Sequence, residues 1–270
     1  MDTQVHNGTA LITGASSGIG AVYADRLARR GYDLILVARN TDRLAALARK
    51  LTEQTGRSVE TITADLTDKA DLARLEQTLR SDASITLLVN NAGAGATAPL
   101  LASDIDRMEA MVALNVTAPM RLAHAVAPAF VARGAGTIIN IASIVAIAPE
   151  LLNGVYGGSK AFLLALSQSL KHELADKGVR VQAVLPGATA TEFWDKSGRP
   201  VSNLPQEIVM TSEDMVDASL AGLDMGEFVT VPALADKTDW DRFETARLAM
   251  SGKLSNATPA PRYTTAKNAA

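Results

Sequence analysis

Apolar residues along this chain follow two alternating rhythms. Short, nearly continuous runs read as strands: "TALIT" (9–13), "DLILVA" (33–38), "VETITAD" (59–65), "ITLLVNN" (85–91), "GTIINIAS" (136–143) and "VRVQAVLPG" (179–187). Longer stretches with helical spacing separate them: Ile19 to Arg30 before Gly31, "TDRLAALARKLTEQTG" from Thr41, residues 68–80, a long one from Ser103 to Arg133, and 155–177 ending at Gly178. "EFVTVP" (227–232) offers a seventh strand. A strand exposed on one side alternates apolar and polar residues; these strands do not, so both faces of their sheet are covered. Strand followed by helix, repeated, predicts an α/β fold with a parallel sheet, and right-handed crossovers make it doubly wound. No stretch reads as a linker, so residues 1–254 are expected to form one domain. The small, polar, proline-containing segment 255–270 is expected to be a mobile tail.

Composition narrows the function classes. The 270 residues are 47% hydrophobic and 20% charged, with a net charge of −3 and no basic run. That argues against a nucleic-acid or anionic-membrane partner. The absence of cysteine excludes disulfides and a thiolate nucleophile. His6, His124 and His172 are scattered without metal-ligand spacing, so no metal site is expected. The polar start and the lack of a long apolar run predict no leader and no membrane span, hence a cytoplasmic protein.

Candidate chemistry begins at "TGASSGIG" (13–20), between the first strand and the first helix. Gly14, Gly18 and Gly20 let the backbone turn tightly, and the helix N-terminus offers unpaired N–H groups to a pyrophosphate. At the end of the second strand, where a ribose-reading protein usually carries a carboxylate, the chain has Ala38 and Arg39. A guanidinium pairs with a 2′-phosphate that a carboxylate would repel, so NADP(H) is favoured over NAD(H); a solvated arginine is the other reading. Ser16 or Ser17 can add a hydroxyl. Asp65 and Leu66 follow the third strand, and "NNAG" (90–93) ends the fourth at the expected crevice.

With "TGASSGIG", "NNAG", Asn115, Ser143, "YGGSK" (156–160), and Pro186–Gly187 with Thr191 in this order and spacing, the chain resembles the short-chain dehydrogenase/reductase family. The resemblance implies a single Rossmann-type domain with a seven-stranded sheet and helices on both faces. It implies Tyr156 as acid/base, Lys160 as its activator, Ser143 as the hydroxyl that orients the carbonyl, and Asn115 as the fourth member. For the cofactor it points to Gly14, Ser17, Ile19, Arg39, Asp65, Leu66, Asn91, Ala92, Gly93, Tyr156, Lys160, Pro186, Gly187 and Thr191; Ser16 and Gly18 belong to the same turn. Gly158 departs from the alanine more usual there. A homotetramer or homodimer is also implied.

These residue types suit hydride chemistry. A phenol with an ordinary pKa of about 10 needs a neighbouring ammonium to act as a base, and the four-residue spacing of Tyr156 and Lys160 puts both on one helical face. Pro119 has no N–H to give the Asn115 carbonyl four residues earlier, which predicts either a plain kink or a freed carbonyl holding a water that leads from Lys160 to solvent. Gly157 and Gly158 weaken their helix, either in a frayed first turn or for close packing against the twin helix that the resemblance implies at a subunit interface. Residues 188–226, with Phe193, Trp194, Met210 and Met215, are expected to cover the site as an apolar lid, or to serve as core. The mostly apolar segments 94–97 and 144–154 suit a hydrophobic carbonyl or alcohol substrate. Two other readings are a non-catalytic cofactor-binding regulator, which has no need of Ser143, Tyr156 and Lys160 together, and a nucleotide-sugar epimerase or dehydratase, for which too little chain follows Gly187.

Overall fold

The computed structural model describes residues 7–263. Seven strands, β1 (Thr9–Thr13), β2 (Asp33–Ala38), β3 (Val59–Thr63), β4 (Ile85–Asn90), β5 (Gly136–Ile141), β6 (Val179–Val184) and β7 (Val229–Thr230), form one sheet in the order β3-β2-β1-β4-β5-β6-β7. All neighbours run parallel. The strand order reverses between β1 and β4, which opens a crevice at their carboxyl ends.

The helices are α1 (Gly18–Arg29), α2 (Thr41–Thr55), α3 (Lys69–Ser81), α4 (Ile105–Val112), α5 (Ala118–Arg133), α6 (Gly154–Leu174), α7 (Phe193–Lys196), α8 (Ser212–Asp224) and α9 (Lys237–Ser251). Alternate strand residues feed two separate cores. Ala10, Ile12, Leu34, Leu36, Leu87 and Val89 meet Tyr23 and Leu27 of α1, Leu44 and Leu51 of α2, and Val216 and Leu220 of α8. Leu11, Ile35, Val37, Leu88 and Ile138 meet Leu72, Leu75 and Leu79 of α3 with Leu122, Val126 and Phe130 of α5. Each helical set recurs at three-, four- or seven-residue steps, one face of a helix.

Helices α2, α3, α4, α6, α8 and α9 start on side-chain caps from Asn40, Asp68, Asp104, Asn153, Thr211 and Asp236. Helix α1 has neither a side-chain cap bond from Ser17 nor an acidic residue in its first turn.

The structure departs from the sequence-based expectation in four places. The long helix over 103–133 is divided by a π-helical turn, Ala113–Thr117, in which the Ala118 N–H reaches back five residues to the Ala113 carbonyl. Pro119 cannot donate to Asn115, and the chain takes a wider π turn there in place of an unbroken α-helix. Residues 188–226 do not act as one lid: α8 covers the sheet beside α1, with Met215 wholly enclosed in the first core and Met210 at its edge. The seventh strand is shorter than 227–232. Finally, α9 was not foreseen. It buries only Trp240 and carries the ion pairs Lys237–Asp241, Arg242–Asp239 and Arg247–Glu244, so no apolar period announces it.

The chain divides into two compact units, one ending at Pro232 and one beginning at Ala233 that contains α9 and the turn Pro261–Tyr263. The N-terminal residues 1–6, with His6, and the end of the expected tail, 264–270, lie outside the described residues. Among the described residues no helix is long and apolar enough to cross a membrane.

Candidate active site

The crevice is built from the strand ends upward. Thr13 closes β1, and its hydroxyl donates to the Val89 carbonyl (3.3 Å) while accepting from the Asn91 and Ala92 N–H groups (3.0 Å each). Asn91 Nδ2 donates to the carbonyls of Thr13 (2.8 Å) and Gly14 (3.3 Å). The Asn91 Nδ2 therefore holds the glycine turn in place and its N–H is spent on Thr13, which leaves its oxygens to face a ligand. Gly14 and Gly18 take φ values of 67° and 53°, which L side chains resist. A Cβ on Gly14 would stand 2.9 Å from Ala92 Cα, and one on Gly18 3.0 Å from Thr191 Cγ2. This turn, with Ser16 and Ser17 on it and Ile19 packed on the first core, delivers the uncapped N-terminus of α1. An anionic cofactor pyrophosphate fits these unclaimed amides.

Arg39, past β2, is largely exposed, with its guanidinium 3.8 Å from the Asp65 carboxylate. Asp65 also closes its own turn, accepting from the Thr67 N–H and hydroxyl. Leu66 is buried in the second core. Arg39 thus has room for a further anion, and Asp65 stands beside it.

Past β4, a Cβ on Gly93 would lie 3.3 Å from Asn115 Oδ1 and 3.4 Å from Lys160 Nζ. The π turn aims the buried Asn115 at this loop: Oδ1 accepts from the Ala94 N–H (2.9 Å), and Nδ2 donates to the Ala94 carbonyl (2.8 Å) and to Ser159 Oγ (3.0 Å). Ser159 in turn donates to the Tyr156 carbonyl (2.8 Å). Lys160 Nζ donates to the Ile141 carbonyl at the end of β5 (2.8 Å) and lies 6.0 Å from the Tyr156 ring centroid. Ser143 follows β5; its hydroxyl accepts from the Val145 N–H (3.3 Å) and donates to the Pro186 carbonyl (3.4 Å), which also takes the Ile144 N–H (3.0 Å). Pro186, Gly187 and Thr191 so line the same mouth from the β6 side.

Burial pushes the Tyr156 phenol up to about 12, against the opposing pull of the Ser143 hydroxyl beside it. Burial also pulls the Lys160 ammonium down to about 8. The expected lowering of the phenol by its lysine is not met in this geometry. Lys160 gives its hydrogen bond to Ile141 and stands beside the ring, so desolvation dominates.

The two glycines of "YGGSK" have different reasons. Asn153 Oδ1 accepts from the Val155 and Tyr156 N–H groups, so the first turn of α6 is capped and not frayed. A Cβ on Gly157 would press to 2.8 Å on Pro149 Cβ of the same chain, whereas one on Gly158 would meet open space.

Phe193 covers the site. Its ring centroid is 5.7 Å from that of Tyr156, and a Cβ on Gly95 would collide with it. Trp194 Nε1 donates to the Thr189 carbonyl (3.0 Å), and the Ser197 carbonyl takes the N–H and hydroxyl of Thr97. Ala94, Ala96, Met108, Met111, Val145 and Leu152 gather with Phe193 around Tyr156. Sequence reasoning named the segments that hold Thr13, Gly95, Asn153 and Ser159 but gave these four residues no role of their own; the one available signal was Asn153 as a capping residue ahead of the helix.

Known proteins resemble this chain in sequence and fold. The family model described as short chain dehydrogenase matches residues 8–201. Serine 3-dehydrogenase of Rhizobium radiobacter is 39% identical over 192 residues, covering 69% of this chain and 74% of that protein. A short-chain dehydrogenase from Sphingobium yanoikuyae, solved in complex with NADPH, is 49% identical, with a TM-score of 0.92 over 95% of this chain and 99% of that one. The bulky-bulky ketone specific alcohol dehydrogenase from Comamonas testosteroni is 45% identical, with a TM-score of 0.89 over 96% of this chain and 100% of that one.

Proposed function

The chain belongs to the short-chain dehydrogenase/reductase family of oxidoreductases, and on that footing we propose that it moves a hydride between NADP(H) and a carbonyl or secondary alcohol. The observation that carries this reading is the meeting of Ser143, Tyr156 and Lys160 at one mouth with the glycine turn and Gly93. The bound nicotinamide supplies or accepts the hydride. In reduction the Tyr156 hydroxyl gives its proton to the carbonyl oxygen as the carbon gains the hydride; in oxidation the phenolate takes the proton back. A phenol held near 12 is protonated at neutral pH and therefore stands ready as the acid. Ser143 donates to the same oxygen where negative charge develops. Lys160 reaches the cofactor ribose and returns a proton to the phenolate, and the π turn at Asn115 holds the water that connects Lys160 to solvent.

The glycine turn and the amides of α1 hold the pyrophosphate, and Arg39 selects the 2′-phosphate over the bare ribose, in keeping with the NADPH bound to the Sphingobium protein. The apolar lining around Tyr156 suits a hydrophobic ketone or alcohol, in keeping with the ketone preference named for the Comamonas enzyme. A homodimer or homotetramer working in the cytoplasm completes the proposal.

A thermal-shift titration with NADPH, NADP, NADH and NAD tests it, followed by a carbonyl screen with NADPH on wild type and Tyr156→Phe. Ligand that binds only the native state raises the midpoint according to its affinity. The expected result is a larger shift with NADPH than with NADH, and turnover that Tyr156→Phe removes while keeping the shift. No shift with any of the four would overturn the enzyme reading, and full turnover in Tyr156→Phe would overturn the assignment of the acid.

A further inference from the structure

Arg43 stands one turn into α2, and its Nη1 donates to both carboxylate oxygens of Glu192 at 2.9 Å. Lys196 Nζ donates to the same carboxylate at 2.9 Å. This contact ties the helix after β2 to the loop after β6. In the sheet those strands are separated by β1, β4 and β5, so the ion pair spans the crevice above three strand ends. It also passes the glycine turn, since Thr191, next to Glu192, rests against Gly18. Arg43 issues from the same β2–α2 junction as Arg39. The Glu192 carboxylate is held down to about 2 by the hydrogen bonds from Arg43 and then Lys196, so it is an anion at any working pH. Both partners are about half exposed, 49% and 45%, which leaves the pair open to exchange with another anion.

We infer that Arg43 is a second reader of the cofactor 2′-phosphate, and that Glu192 occupies it as a competing anion until the phosphate displaces it. This rests on the NADP(H) reading above. A guanidinium that grips a carboxylate through two oxygens grips a phosphate in the same way. Displacement leaves Glu192 with Lys196 on its own segment and releases residues 192–197 from α2. That segment carries Phe193, which lies on Gly95 and Tyr156. One exchange of anions therefore links choice of the phosphorylated cofactor to loosening of the cover over Tyr156. A cofactor without the 2′-phosphate leaves the tie closed.

The test uses full-length wild type, Arg43→Gln, Glu192→Gln and Arg39→Gln. Calorimetry measures their affinities for adenosine 2′,5′-bisphosphate and adenosine 5′-monophosphate, and amide hydrogen exchange follows residues 192–197. Arg43→Gln is expected to weaken the bisphosphate about tenfold, and Glu192→Gln to strengthen it about threefold, with the monophosphate unmoved in both. Exchange over 192–197 should quicken in both variants, and in wild type on adding the bisphosphate but not the monophosphate. If only Arg39→Gln weakens the bisphosphate, or Glu192→Gln weakens it, the pair is a static tie and the inference falls while the NADP(H) reading stands. Equal affinity of wild type for the two probes would remove that reading and the inference with it.

Discussion

Lys160 is where stability and chemistry pull apart. Its ammonium is enclosed, with a single bond to Ile141, and burial takes its pKa from 10.5 to about 8. The folded value lies below the unfolded one, so between these pH values the unfolded chain binds more protons and stability rises with pH. Below pH 8 the cost of the buried charge is present in full. Lys160→Met keeps the stem and removes the charge. It should be more stable than wild type at pH 7 by about 1–3 kcal/mol, lose that lead as pH climbs toward 10.5, and have no turnover. Denaturant unfolding at pH 7 and pH 10 checks this; a variant less stable at both would show that the Ile141 bond outweighs the charge. At this scale Ser143, Tyr156 and Lys160 were legible, because side-chain identity and spacing along one helix are local. Thr13 and Ser159 were not, since their partners lie 78 and 44 residues away.

The element that shapes the site most is the α4–π–α5 run. Pro119 was legible as a missing donor, but whether the chain would kink or widen depends on what packs around it. Widening lets Asn115 reach both Ala94 and Ser159. Pro119→Ala restores a donor four residues after Asn115 and should draw the segment back to α register. Turnover should fall about tenfold or more, with far-UV helicity kept. Kinetics across pH would show it, and an unchanged pH–rate profile would remove Asn115 from the proposed proton path. Helices α8 and α9 mark the limit of reading elements from period. The apolar face of α8 could have served a lid or the core; only its position beside α1 assigns it to the core. The polar surface of α9 carries no period at all.

At the scale of the whole molecule, Gly158 connects the fold to assembly. It is exposed, and a Cβ placed on it would meet nothing within 4 Å, while Leu100, Leu101 and Ile105 are also exposed. In the proposed homo-oligomer a twin helix packs at Gly158, where a side chain would stand in the way. Wild type should run as a dimer or tetramer in light-scattering chromatography, and Gly158→Arg should lower that mass with the cofactor shift retained; a wild-type monomer would refute the assembly. The alternation of apolar runs and helical periods already implied a doubly wound parallel sheet, because a strand covered on both faces must be apolar throughout and a parallel return needs a crossover helix. The order of small motifs likewise identified the residues that meet at the crevice, because that order follows the strand ends. The direction in which burial moves the Tyr156 and Lys160 pKa values, the closure of Phe193 over Gly95, and the Arg43–Glu192 tie were settled only by the tertiary structure. Each depends on groups distant in sequence sharing a desolvated or bridged space, which no local pattern encodes.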